Sequence, residues 1–155
     1  MMTTGMVAGA VAGAAGTAAL NATTYLDMVW RGRGSSDTPE QTVEAIEDKL
    51  PVRIPGQGDS RNNRISGLGS LSGIATGIGI GAAFGMLRRV GLRPPLPLSA
   101  VMVGLAAMVS TNVSMTALRV SDLRRWSAAD WLSDLVPHLA YGAVTAAVLE
   151  ALDRR

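Results

Sequence analysis

The chain has 155 residues, enough for one domain and too few for two independent cores. Hydrophobic residues make up 48% and charged residues 17%, shares that a soluble domain could have, but the 14 Lys+Arg and 12 Asp+Glu are unevenly placed. Residues 1–26, 65–87 and 94–118 carry no charged side chain, which excludes an ordinary soluble domain and, given the length of the apolar runs, a disordered chain.

A spanning helix needs roughly 20 predominantly apolar residues. The three uncharged runs meet that length, and a fourth, 131–152, does so while carrying Asp134, His138 and Glu150. The expected fold is therefore all-α, an integral membrane four-helix bundle with helices at about 5–29, 66–87, 96–118 and 131–152. The first run lacks a basic leader and its Ala/Gly stretch is a poor signal-peptide core, so it reads as a retained helix. There is no cysteine and a single histidine, which excludes disulfides, thiolate metal sites, a Cys nucleophile and poly-His centres. No motif calls for a metal or a cofactor. Lys49 is the only lysine, and arginines in this setting mark membrane-flanking loops rather than contacts to nucleic acid.

In the first helix Gly5, Gly9 and Gly13 form a GxxxGxxxG row, followed by Gly16. Tyr25 and Trp30 suit an interfacial belt, Arg31 and Arg33 close the span, and Asp27 sits four residues before Arg31 as its natural ion-pair partner. Residues 31–64 are the one sizeable polar loop. Within it Thr38, Pro39 and Gln41 read as a capped start for a short amphipathic helix, about 39–50, with Val43, Ile46 and Leu50 on one face. Its acidic face is a poor match for anionic headgroups, so it is expected to lie on the bundle or on a partner. Residues 56–64 read as turn-rich.

The second spanning helix carries Gly69, Gly73, Gly77, Gly81 and Gly85 at unbroken i+4 spacing, a glycine zipper that lets another backbone approach closely. At 100° per residue such a row winds slowly round the helix. Arg88, Arg89 and Arg93 stop the span, and Pro94, Pro95 and Pro97 lead into the third helix. Ser127 and Asp130 give the fourth helix a capping-box start, flanked by Trp126 and Trp131. An internal repeat is one reading of the order: at an offset of 91, Gly13 meets Gly104 and Asn21 meets Asn112, and the second and fourth helices align with Gly77 on Gly142 and Arg89 on Arg154. That would make a parallel two-plus-two arrangement. Loops 31–64 and 119–130 hold nine basic residues against five on the opposite side, which leans toward cytoplasmic placement of those loops.

Asp130, Asp134, His138 and Tyr141 fall on one helical stripe, with Pro137 freeing a carbonyl within it. Ionisable groups inside a membrane are functional candidates by default. Asp134, His138 and Tyr141, with Asn21 and Asn112 at comparable depth, form the candidate polar, proton or ligand site. The competing reading makes the acids an interfacial helix start and the asparagines glue between helices. No Ser–His–Asp or other catalytic arrangement emerges, and the role expected is non-enzymatic.

The GMVAGAVAGAAGTAALN opening and the closing helix DLVPHLAYGAVTAAVLEALDRR, with His138, Tyr141 and Gly142, resemble small four-helix bacterial membrane proteins, loosely the YagU-like inner-membrane group and its actinobacterial relatives. The resemblance implies a four-helix fold and a bacterial inner-membrane location, and carries over no activity. The expectation is a packing or accessory component of a homo-oligomer or larger membrane complex; the alternative is a minimal transporter or channel for a proton, ion or small polar solute.

Overall fold

The structure is a computed structural model and describes residues 2–154. It is all-helical among the described residues: α1 (Met2–Arg31), α2 (Thr38–Glu47), α3 (Asp59–Arg89), α4 (Leu96–Ala117), a 3-10 turn at Leu123–Arg125, and α5 (Ala128–Asp153). Helices α1, α3, α4 and α5 are each long and apolar enough to cross a membrane. The glycines of α1 and α3 would weaken those helices in water. In hydrocarbon every backbone N–H and C=O must be satisfied within the segment, so the helix is the conformation left. Polar markers bound three of the spans: Gly5 (beneath Arg89) and Asp27 on α1, Arg64 and Arg88 on α3, Asp130 and Asp153 on α5. At 1.5 Å per residue these pairs stand about 33–36 Å apart, slightly more than a hydrocarbon layer of about 30 Å.

The bundle is an open row. Helix α1 packs along both α3 and α5, α4 packs along α5, α2 lies on α3, and α3 meets α4 only briefly. Backbones, more than side chains, make the α1–α3 and α4–α5 crossings. Where α1 crosses α3, a Cβ on Gly81 would come 2.6 Å from Gly13 Cα, and one on Gly85 would come 2.8 Å from Gly9 Cα. Where α4 crosses α5, a Cβ on Gly104 would lie 2.7 Å from the His138 carbonyl oxygen and one on Gly142 2.8 Å from Gly104 Cα. The core between them is small: Ala12, Phe84, Val103, Ala107, Tyr141 and Leu149.

The two crossings are alike in detail. Gly81 faces Gly13 Cα and the Gly9 carbonyl; Gly142 faces Gly104 Cα and the carbonyl of Ala100. The offset of 91 between α1 and α4 therefore matches the packing, and Ala12 and Val103, equivalent under it, are both buried. For α3 and α5 the expected register is off by one turn. Gly142 corresponds to Gly81 rather than Gly77, and His138 corresponds to Gly77, so Arg89 does not align with Arg154. Nor does the repeat close into a ring: the α1–α5 contact, where Gly16 lies against Tyr141 and Thr145, has no comparable partner between α3 and α4.

The glycine zipper of α3 is shared among neighbours instead of forming one groove. Gly69 meets Pro39 of α2, Gly77 meets Thr17 and Tyr141, and Gly81 and Gly85 meet α1. Gly73 alone in the row faces open space. On α1, Gly5 lies beneath Arg89 and the Gly85 carbonyl, while Gly9 and Gly13 pack on Gly81 and Gly77.

Helix α3 begins seven residues before the expected 66, so 59–64 are helical rather than turn-rich. Tertiary pairing explains this. Arg61 forms ion pairs with Glu47 at 2.5 Å and Glu44 at 3.2 Å, and Ser66 donates to Glu40 at 2.9 Å, which fastens α2 along the first turns of α3. Helix α2 stops at Glu47, short of residue 50. Its N-cap is Asp37, not Thr38; Gln41 Nε2 bonds to Asp37 Oδ2 at 2.8 Å. The expected capping box of the last helix is present in full: Ser127 and Asp130 bond reciprocally, and α5 starts at Ala128.

Candidate functional site

Helix α5 carries its polar stripe inward as it descends from the cap. Asp134 lies one turn below Asp130, with its side chain 18% exposed, and His138 lies a turn deeper, 8% exposed. Asn112, buried on α4, donates from Nδ2 to Asp134 Oδ2 at 2.9 Å. His138 Nδ1 is 2.7 Å from the Asp134 carbonyl oxygen and 3.2 Å from Asp134 Oδ1. Both neighbours are acceptors, so Nδ1 carries the ring proton and Nε2 is the nitrogen left for other chemistry. Asn112 Oδ1 is buried with no hydrogen-bond partner. Asn112, Asp134 and His138 thus make one connected polar cluster across the α4–α5 crossing, held there because Gly104 and Gly142 let the two backbones touch.

The other two candidates stand apart. The Tyr141 hydroxyl donates to the Gly77 carbonyl at 2.6 Å, bridging α5 to α3. Asn21 is half-buried on α1 and bonds to no member of the cluster. It occupies the place on α1 that Asn112 holds on α4, but the two asparagines do not pair. Asp130 is spent in the α5 cap, accepting from the Ser127 amide at 2.8 Å.

Sequence reasoning missed Thr145, which is fully buried with Oγ1 unpartnered and rests where a Cβ on Gly16 would fall. It also missed Thr17, whose Oγ1 bonds to the Gly13 carbonyl at 2.8 Å. A lone threonine in a small-residue helix carries no spacing signal. The missing information is which neighbour covers it.

At the headgroup level Asp27 accepts from Arg31 at 2.6 and 2.7 Å and from Arg33 at 2.6 Å, and Arg31 continues to Ser133 on α5. Trp126 and Trp131 stack edge to face with centroids 5.1 Å apart. On the opposite side Arg88 pairs with Asp153 at 2.9 Å. No group of three His, Cys, Asp or Glu side chains is placed to hold a metal among the described residues. Two open depressions lie elsewhere, one of about 420 Å³ beside 52–55 and α3, the other of about 250 Å³ at Thr116, Arg119, Ser121 and Asp122. No family model matches the chain, and no curated protein or solved structure matches it.

Proposed function

We propose that this multi-pass membrane protein is a non-enzymatic packing component that associates with itself or with a larger membrane assembly, in the inner membrane of a bacterium. One observation carries the reading. Two of the buried polar side chains within the spans make helix-to-helix bonds, Tyr141 to Gly77 and Asn112 to Asp134, while α4 packs on α5 and turns Leu98, Val101, Leu105, Val109 and Val113 outward. A helix with one protein neighbour and an apolar outer face is suited to a further helix. A second reading, a minimal proton or ion transporter, is favoured by the unpartnered Asn112 Oδ1 beside an Asp–His pair.

The two readings separate in one experiment on the full, naturally cysteine-free chain. With Val109→Cys or Val113→Cys, oxidation in native membranes is expected to yield disulfide-linked dimers or larger adducts. Proteoliposomes of the unmodified protein are expected to show no proton flux above protein-free vesicles. Monomer alone from both cysteine variants, together with a proton flux lost in His138→Ala, would sink the assembly reading and install the transporter.

A further inference from the structure

Between residues 52–55 and the start of α3 lies an open groove of about 420 Å³. Apart from two arginines its lining is apolar: Val52, Ile54 and Pro55 from the 52–55 segment, and Gly67, Leu68 and Leu71 from α3. The two charged residues that line it, Arg53 and Arg64, are both basic; Arg53 is held in an exposed ion pair with Asp48 at 3.4 Å. We propose that this groove binds one anionic phospholipid, with its phosphate at Arg64, assisted by Arg53, and an acyl chain laid across Gly67 between Leu68 and Leu71.

Four observations converge on a lipid rather than a peptide or a soluble anion. The first is depth. Arg64 lies about 36 Å from Arg88 along α3, which puts it at the headgroup level of a bilayer with about 30 Å of hydrocarbon. Leu68 and Leu71 then enter the hydrocarbon one and two turns further on. Both are exposed, at 44% and 61%, on a face that neither α1 nor α2 covers.

The second is charge. Arg61 is neutralised by Glu44 and Glu47, whereas Arg64 has no carboxylate partner among the described residues and bonds only to the Pro55 carbonyl at 2.7 Å and Ser60 Oγ at 3.1 Å. An unneutralised guanidinium above an apolar slot matches the order of groups in a phospholipid, phosphate first and chain below.

The third is the way the groove is built. The Arg64–Pro55 bond straps the 52–55 segment over α3. Gly56 makes that strap possible: its φ is +103°, and a Cβ there would come 2.5 Å from the Arg64 guanidinium. The fourth is Gly67. A Cβ added there would meet nothing within 4 Å, so this lining residue serves no packing contact inside the protein and leaves the space beside Leu68 and Leu71 open.

The test is native mass spectrometry of the full chain in mild detergent, titrated separately with phosphatidylglycerol and with phosphatidylcholine. One phosphatidylglycerol is expected to stay bound at concentrations where phosphatidylcholine does not. Arg64→Gln is expected to lower phosphatidylglycerol affinity roughly fivefold, the effect of one basic residue near an anionic lipid surface. Arg53→Gln, at an exposed position, is expected to lower it less, and Gly67→Leu to block the groove for both lipids. Arg124→Gln, on the same membrane face outside the groove, is expected to change nothing. Equal binding of the two lipids, or a loss in Arg124→Gln as large as in Arg64→Gln, refutes the proposal. If Gly67→Leu fails to fold, the comparison of Arg64→Gln with Arg124→Gln decides alone.

Discussion

Glu47 is a buried acid and Asp134 a partly buried one, and their surroundings are opposite. Glu47 sits at the end of α2, outside the spans, and accepts from the Ile54 amide at 2.7 Å as well as from Arg61. The Ile54 amide first, then the Arg61 guanidinium, hold its carboxyl below the ordinary value of 4.5 in spite of burial. A carboxylate lowered in the folded state stabilises the fold above its unfolded pKa, and that contribution is lost as pH falls through the folded one. The docking of α2 on α3 should therefore hold near neutrality and loosen only in acid below about pH 4.5. Limited proteolysis in 48–58 is the readout. Cleavage should rise several-fold as the pH drops, and Glu47→Gln should show the fast rate already at neutral pH. An unchanged rate in Glu47→Gln would remove Glu47 as the anchor. Asp134 instead faces Asn112 and His138 inside the bundle. Its i, i+4 relation to His138 could be read from spacing alone, but its bond to Asn112 crosses between helices and could not.

The glycines divide by what a methyl group would strike. At Gly81 it would strike the Gly13 backbone, which cannot give way, whereas at Gly73 of the same row it meets nothing. Gly81→Ala should thus cost about 1–3 kcal/mol through overpacking. Gly73→Ala should be neutral or stabilising by up to about 1 kcal/mol, because alanine is the better helix former. Denaturant titration of both variants in detergent checks the pair, and equal losses would argue against the α1–α3 crossing. The same row explains what spacing could and could not reveal. It announced a winding small-residue face, and the face winds, from α2 at Gly69 to α1 at Gly85. It could not fix the register between α3 and α5, because an i+4 row aligned with itself one turn away looks the same. The spans and the Ser127–Asp130 cap were legible because membrane length and cap chemistry are local. The early start of α3 was not, because Arg61 is held by acids on another helix.

Taken together, the helices form two similar hairpins, α1 with α3 and α4 with α5, joined along α1 and α5 and by the Tyr141–Gly77 and Arg88–Asp153 bonds between α5 and α3. Helix α1 lies between two neighbours, while α4 has one along its length. Local opening follows the least-held element, so hydrogen–deuterium exchange in detergent should reach the amides of α4 before those of α1. The reverse order would mean that α3 and α4 close against each other in solution. The hairpins also differ in how far the chain must travel to make them. The second brings Gly104 to His138 across the short turn at 118–127, whereas the first must carry Gly13 to Gly77 past the whole 31–64 segment. That separation is nearly twice as long and adds about 0.6 kcal/mol of loop-closure entropy. Docking Pro39 on Gly69 early would shorten the effective loop before α1 and α3 meet. In that light the contact of α2 with the base of α3 is a shortcut: with Pro39 on Gly69, the path from Gly13 to Gly77 is about as short as the one from Gly104 to His138.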